Sequence, residues 1–514
     1  METELLRGSK LWITVATMCA ALLSLLDIMI VNVALNDIRA SFGTPLDQIA
    51  WVSTGYAMAN ITIIPLSGWL QKRFGFRNYF TTSVLIFTAS SALCGLSWNL
   101  PSLVCFRILQ GLGGGAIIPT SQAILFARYP QKEHGTAGAL FGLGAITGPL
   151  LGPTLGGYLI DVANWHWIFY VNLPLGLMAA WLAYRNIEEP GFVPSRAPVD
   201  RFGIGLLAAG MISLQYVLEE GNRDGWLESP LIAFLSAVAV ISLATFVVHE
   251  LETEHPAVDF RVFANRTYAA STGLNFLIGT ALFGGSLLYS LYCGVVMHYA
   301  ALDIGIVFLK GSWIQVVMMP IVGRTMHKVD TRWMVGIGLA GVLLSLWLNA
   351  HLDMQADSRT MILPIFVRAA SLSLCFVPLS VAALSDLPPQ QRGNAAGLFN
   401  LTRELGGSIG AAWMSTQLDT NTKQNLSDLA RNIDVYSPIA MEQLATLQRG
   451  VAARLFDPQA GALALLSGKL GLQALIKAFD QGFFTLCAYF LFAFVLVFLL
   501  KKPKGGAGAA PPAH

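Results

Sequence analysis

Residues 11–35 read Leu-Trp-Ile-Thr-Val-Ala-Thr-Met-Cys-Ala-Ala-Leu-Leu-Ser-Leu-Leu-Asp-Ile-Met-Ile-Val-Asn-Val-Ala-Leu, an apolar run interrupted by a single charged side chain, Asp27. At about 1.5 Å per residue such a run is longer than the roughly 30 Å of hydrocarbon in a bilayer, so it predicts a membrane-spanning helix. Arg7 and Lys10 precede it, but it is too long for a signal-peptide core and is followed by no small-residue cleavage site. It is expected to remain as the first span. Working outward, comparable runs fall near 49–70, 79–98, 102–126, 136–160, 167–185, 203–219, 231–249, 269–293, 302–323, 334–352, 361–385, 394–416 and 482–500. The fold class is therefore an all-α integral membrane protein with fourteen transmembrane helices.

Composition agrees with that reading. Of 514 residues 54% are apolar and only 12% charged, against about 25% charged in ordinary soluble domains, so one aqueous core could not hide the apolar surface. The formal net charge is +2, and the only basic run is Lys501, Lys502 and Lys504, which gives neither nucleic acid nor an acidic polymer a footing. Cys19, Cys94, Cys105, Cys293, Cys375 and Cys487 all lie in or beside apolar runs without metal-ligand spacing and are read as packing residues. No metal and no cofactor are expected.

An even number of spans puts both termini on one side. With the termini inside, nineteen of the 32 lysines and arginines fall in cytoplasmic segments and three, Arg39, Arg223 and Arg359, in the short outer loops. That asymmetry satisfies the positive-inside rule and predicts cytoplasmic termini. The long final outer segment, 417–481, is expected to form amphipathic helices outside the membrane, with apolar positions at Leu426, Leu429, Ile433, Met441, Leu444 and Leu447. The Gly/Ala/Pro-rich tail from Gly505 to His514 is expected to be disordered.

A weak repeat organises the spans. The loop after span 2, Gly68-Trp69-Leu70-Gln71-Lys72-Arg73-Phe74-Gly75, has a counterpart after span 10, Gly323-Arg324-Thr325-Met326-His327-Lys328-Val329-Asp330, and Arg107 in span 4 has a counterpart in Arg368 of span 12. Two related six-helix bundles separated by an extra helix pair produce this offset, a construction common among secondary transporters, although chance among basic loops remains the other reading. The organisation is then 1–185 for the first bundle, 186–268 for a linker with two additional spans, 269–500 for the second bundle including 417–481, and 501–514 for the tail.

An ionised side chain in hydrocarbon is costly unless paired or hydrated, so charges inside spans are candidates for function. Asp27 can carry a proton across or serve as half of a structural ion pair. Arg107, Gln110, Gly111 and Gly114 share one face of span 4, where Arg107 can supply a cation to a carboxylate. The run Gly111 to Gly115 lacks the Lys-Ser/Thr of a phosphate loop. Gly144, Gly148, Gly152 and Gly156 recur every four residues in span 5 beside Pro149 and Pro153, a pattern for close helix packing or flexing. The second half contributes Lys310 and Gln315 in span 10, Arg368 in span 12, and Asn400, Arg403 and Glu404 in span 13. Arg403 and Glu404 are adjacent, point about 100° apart, and are not expected to serve one site equally. Four bases against two acids within the spans favour weakly acidic amphiphiles over cations.

These motifs together resemble the major facilitator superfamily, and within it the fourteen-helix drug:proton antiporter branch of EmrB-type multidrug efflux permeases. The resemblance runs through Leu26, Asp27 and Val31 to Leu35 in span 1, Gly68, Leu70, Arg73 and Gly75 in the loop motif, Arg107, Gln110 and Gly111 in span 4, and Gly148, Pro149, Gly152, Pro153, Gly156 and Gly157 in span 5. Trp165 to Pro174 resembles the branch's phrase at the start of span 6, and Arg403 with Gly406 to Gly410 its span 13 phrase. Lys72 stands where most superfamily members carry Asp, and Lys310 and Glu404 depart from uncharged positions in the branch. The resemblance implies a major facilitator fold of 6 + 2 + 6 helices and an inner-membrane proton antiporter, exporting hydrophobic or weakly acidic amphiphiles with a periplasmic adaptor protein and an outer-membrane channel. Segment 417–481 would be an adaptor-facing surface or a folded lid. Asp27, Arg107 and Glu404 would couple protons. Asn32, Tyr56, Gln110, Lys310, Gln315, Arg368, Asn400 and Arg403 would line the substrate cavity, and Gly68, Lys72, Arg73, Gly75 and the span 5 glycines and prolines would act in conformational change. A dedicated siderophore or fatty-acid exporter is the nearest rival. An uptake symporter is disfavoured by the span 5 pattern, and a membrane enzyme by the lack of any nucleophile-base pair, metal cluster or phosphate loop.

Overall fold

Apolar runs bounded by Gly, Pro and Asx residues become long helices here, and the boundaries follow local chemistry. The structure is a computed structural model that describes residues 8–326, 328–352, 357–431, 438–451 and 457–500. The tail, Ile433 and His327 lie outside them. The first half contains α1 (Lys10–Phe42), the single turn α2 (Leu46–Ile49), α3 (Trp51–Ile63), α4 (Ser67–Phe74), α5 (Phe76–Gly95), α6 (Leu100–Arg128), α7 (His134–Val162), the single turn α8 (Trp167–Tyr170) and α9 (Asn172–Asn186). An intervening pair follows, α10 (Arg201–Glu220) and α11 (Pro230–Glu252). The second half contains α12 (Arg266–Leu291), α13 (Ala301–Ser312), α14 (Ile314–Thr325), α15 (Thr331–Asn349), α16 (Ser358–Ser385), α17 (Arg392–Arg431), α18 (Pro438–Val451) and α19 (Pro458–Val497). Asn99 opens α6 with a reciprocal capping box to Ser102 and a proline in the first turn, and Asn265 accepts from the Thr267 and Tyr268 amides to open α12.

Helices stand at every predicted span, and eleven among the described residues are long and apolar enough to cross a membrane. The segments that fall short are Trp51–Phe74, Phe76–Gly95 and α17. Their polarity points inward: Thr81, Ser83, Thr88, Ser90 and Ser91 of α5 are buried, as are Asn394, Asn400 and Arg403 of α17. Lipid-facing surface is conspicuous elsewhere, with Phe234, Val240 and Ile241 on α11 and Trp181 on α9 all exposed.

The sequence repeat has a three-dimensional counterpart. In the first half the glycine-bearing α7 lies along α1, and in the second the glycine-bearing α17 lies along α12, each the fifth span of its half against the first. A Cβ on Gly148 would stand 2.7 Å from the Leu26 nitrogen, and one on Gly410 would stand 2.5 Å from the Thr280 carbonyl oxygen. Only glycine permits these approaches, so α7 and α17 are pressed onto backbone rather than side chains. The intervening pair does not stand apart, because α10 packs on α3 of the first half and also touches α17 of the second.

Segment 417–481 is helical throughout α17, which runs on to Arg431, and α19, which begins at Pro458; among the described residues α18 is the separate helix, lying against α19. Asn425 holds the hairpin together, donating to the Ala474 carbonyl at 3.3 Å and to Gln481 Oε1 at 3.0 Å. Leu426 and Met441, two of the predicted apolar positions, are exposed on it.

Candidate substrate and proton site

Asp27 lies on α1 with no solvent exposure, and two further helices converge on its carboxylate. Arg107 of α6 donates Nη1 to Oδ2 at 2.5 Å. Gln110, one turn along the same helix, donates Nε2 to Oδ1 at 2.8 Å, and Asn172 at the start of α9 donates Nδ2 to the same oxygen at 2.8 Å. Both carboxylate oxygens are thus engaged as acceptors. A proton arriving at Asp27 removes the negative charge that Arg107 pairs with, so protonation weakens the Arg107 contact.

Arg107 is held from other sides too. Its Nη1 also reaches Gln110 Oε1 at 2.8 Å, its Nε donates to the Val52 carbonyl at 3.1 Å, and its guanidinium lies 4.2 Å from the centre of the Tyr56 ring. Asn172 is fixed in turn by donating to Ser91 Oγ at 3.0 Å, and Ser91 donates to the Phe169 carbonyl at 2.9 Å. Every buried polar group of this cluster except Asn172 Oδ1 has a partner.

Between the halves lies a cavity of about 430 Å³, within the range of drug-sized ligand sites. Arg107, Tyr56 and Asn32 form part of its first-half wall, and Gln315, Arg368, Arg403 and Glu404 part of its second-half wall, among apolar groups such as Ile28, Met29, Ile278, Phe283 and Phe376. Asp27 itself is not in the wall. Arg107 stands between it and the cavity, touching both.

The structure brings most of the predicted site residues together and moves others. Gln110 belongs to the Asp27 cluster and not to the cavity. Asn400 lies beside a much smaller adjoining space and joins the halves, donating to Gln122 Oε1 of α6 at 2.7 Å. Lys310 does not line the cavity: its side chain is exposed, on the helical stripe it shares with the exposed Val317 and Ile321. Its apolar surroundings in sequence gave no hint of which face it occupied. Arg403 and Glu404 both face the cavity and pair with each other at 3.5 Å, against the expectation from their 100° offset, because long side chains swing back towards one another. Asn172 does not stand out within the Trp165 to Pro174 phrase, and Gln215 and Glu219 of α10 sit at the end of a span assigned to the linker. Gln215 and Glu219 nonetheless line the cavity, with Gln215 Nε2 donating to Glu219 Oε1 at 2.7 Å.

The conformational motifs occupy the seams. At the end that carries both termini the halves are closed upon one another: a Cβ on Gly68 would stand 2.4 Å from the Asn394 backbone, Arg392 donates to the Phe126 carbonyl at 3.1 Å, and His134 Nδ1 meets Ser385 Oγ at 2.8 Å. Gly75 ends α4 at φ 81°, a left-handed value that favours glycine. Lys72 is exposed, while its carbonyl and Arg73 are bound by the Ser195 amide and the Ala197 carbonyl of the connection to α10. In α7 the glycines 144, 148, 152 and 156 face α1, whereas Pro153 meets α13 of the other half at Gly305. The helix passes Pro149 unbroken. Asn32 and Glu219, both exposed in the cavity wall, mark its open end away from the termini.

A family profile described as Major Facilitator Superfamily matches residues 17–411. The chain belongs to the Major Facilitator Superfamily. Among curated members of comparable length, the multidrug export protein EmrB of Escherichia coli (strain K12) is 32% identical over 521 aligned positions, covering 99% of each chain. The fatty acid resistance protein FarB of Neisseria gonorrhoeae is 31% identical, covering 99% of this chain and 100% of its own. The colistin resistance protein EmrB of Acinetobacter baumannii is 30% identical over 94% of each. Among solved structures, the proton:xylose symporter XylE superposes with a TM-score of 0.63 at 15% identity, covering 96% of this chain and 97% of that one, which shows the superfamily fold. The family is one of transporters, and the helices that continue beyond residue 411 into the α17–α19 hairpin lie outside the profile match.

Proposed function

We propose that this superfamily member is a proton-driven efflux antiporter that exports hydrophobic or weakly acidic amphiphiles by alternating access and performs no enzymatic chemistry. The observation that carries the reading is Arg107, which binds the buried Asp27 on one side and forms the wall of a largely apolar cavity on the other. A proton on Asp27 frees the arginine, and a cargo in the cavity meets the group so released. The glycine contacts of α7 on α1 and the closed seam at Gly68 and Asn394 are where the halves would hinge and part.

On this reading the proton gradient is the energy source, the protein sits in the bacterial inner membrane with cytoplasmic termini, and the cavity opens outward. The α17–α19 hairpin, standing on the outer side, is the surface offered to a periplasmic adaptor that links to an outer-membrane channel. The names of the relatives support drug or fatty-acid cargo.

The test is transport in proteoliposomes. The wild-type chain should export fluorescein, a weakly acidic amphiphilic dye, against its gradient when an inward proton gradient is imposed, and Asp27→Asn should abolish that coupled export at equal protein incorporation. Undiminished coupled export by Asp27→Asn would remove Asp27 from the mechanism, and a wild-type chain that accumulates the dye would make the protein an uptake system.

A further inference from the structure

Arg107 and Arg368 hold corresponding places in the two halves, in the fourth span of each, yet their surroundings differ. Arg107 is neutralised by Asp27. Arg368 of α16 is only 6% exposed, lines the cavity, and makes neither a hydrogen bond nor an ion pair with any described residue. What it does touch is the face of Phe308, 5.7 Å from the ring centre, and its Nη1 stands 3.9 Å from the position a Cβ on Gly285 would take. A guanidinium so buried carries five donors and a full charge with no acceptor, a costly arrangement unless a counter-charge arrives from elsewhere.

The protein's own carboxylates in and behind this cavity are engaged: Asp27 by Arg107, Glu404 by Arg403, Glu219 by Gln215. None pairs with Arg368. We propose that Arg368 is the anion subsite of the cavity and that the cargo brings the carboxylate which, in the other half, Asp27 supplies. The planar fork of the guanidinium accepts a carboxylate through two parallel hydrogen bonds, and Phe308 holds the plane in place. Ser312 and Gln315, on either side of the break between α13 and α14, add further donors along the same cavity, and Leu372 and Phe376 continue its apolar wall for an alkyl or aromatic tail. The cargo class is thus an amphiphilic monocarboxylate. This assignment rests on the export reading for its direction of transport but not for binding.

Equilibrium binding of radiolabelled dodecanoate and dodecanol to the purified full-length chain in detergent, at a pH where the fatty acid is ionised, tests it directly. The wild type should bind dodecanoate about tenfold more tightly than dodecanol. Arg368→Gln should lose that preference to within about twofold, and Arg368→Lys, which keeps the charge but not the fork, should retain part of it. A wild type without preference, or Arg368→Gln that keeps it, overturns the proposal. Should Arg368→Gln fail to fold, read as the loss of its cooperative thermal unfolding transition, Arg368→Lys decides: an undiminished tenfold preference shows that the fork is not used, and a reduced one supports it. Proton-driven fluorescein export by the same proteins separates the two readings, because its absence from the wild type refutes the pump while leaving the carboxylate preference standing.

Discussion

Replacing Asp27 by Asn and Arg107 by Gln, singly and together, measures how far the buried pair holds the first half together. Asp27→Asn leaves Arg107 its bonds to Gln110 and the Val52 carbonyl and its contact with Tyr56, but strips the charge that compensates it. Removing one partner of a buried pair costs about 3–5 kcal/mol, and the surviving contacts place this variant at about the lower end of that range. Arg107→Gln leaves the buried Asp27 carboxylate with the neutral Gln110 and Asn172 amides only, which places it at about the upper end. In the double variant no charge is left uncompensated, so its loss should fall short of the sum by about 2 kcal/mol or more. Reversible unfolding in mixed micelles, followed by circular dichroism with the four proteins at one pH, yields the cycle. A coupling energy below about 0.5 kcal/mol would refute a direct ion pair between α1 and α6. Transport gives the complementary reading, because the double variant should lose less stability than its two parents do in sum and still fail to couple export to protons.

Other expectations follow from the contacts. Gly148→Ala places a methyl 2.7 Å from the Leu26 nitrogen, where backbone cannot yield, and should cost about 1–3 kcal/mol of stability and slow export, read by thermal denaturation and dye efflux in parallel. Glu219→Gln removes a carboxylate at the open end of the cavity and should raise the KM for a cationic amphiphile such as tetraphenylphosphonium about threefold or more, with the KM for a neutral one unchanged. Lys310→Leu, altering an exposed side chain outside the cavity, should leave dye export within about twofold of wild type, measured in the same proteoliposomes.

The legible part of the fold was the part governed by hydropathy and glycine. Span 1, the glycine period of span 5 and the polar face of span 4 could be read because each imposes a short-range pattern on the chain, and α1, α7 and α6 carry them out. Rotation about a helix axis is a weaker signal in a chain that is apolar on every side. Lys310 and Arg368 look alike in sequence, one cation in an apolar helix each, yet one is exposed and the other faces the cavity. Asn172 escaped for a different reason: its partner Asp27 is distant in sequence, and nothing local distinguishes an amide that completes a carboxylate cluster from one that caps a helix. The intervening helix pair misled through topology, because an insertion between two related bundles reads as peripheral whereas α10 is wedged against both.

That wedge bears on how the two sites communicate. The C-terminal end of α10 carries Glu219 and Gln215 into the cavity wall, and the turn that follows is tied to α17, with Asn222 donating to Ser415 Oγ at 3.2 Å and Trp226 Nε1 to Thr416 Oγ1 at 3.1 Å. Its flank meets α3, where Tyr216 packs against Trp51 at 5.7 Å between ring centres, one residue from Val52, whose carbonyl accepts from Arg107. A shift of α17 relative to α3 must therefore strain or release contacts of α10 on both sides. One short path of packed groups then runs from the second half through α10 and α3 to Arg107 and Asp27, and cargo or a proton acting at either end changes the same set of contacts.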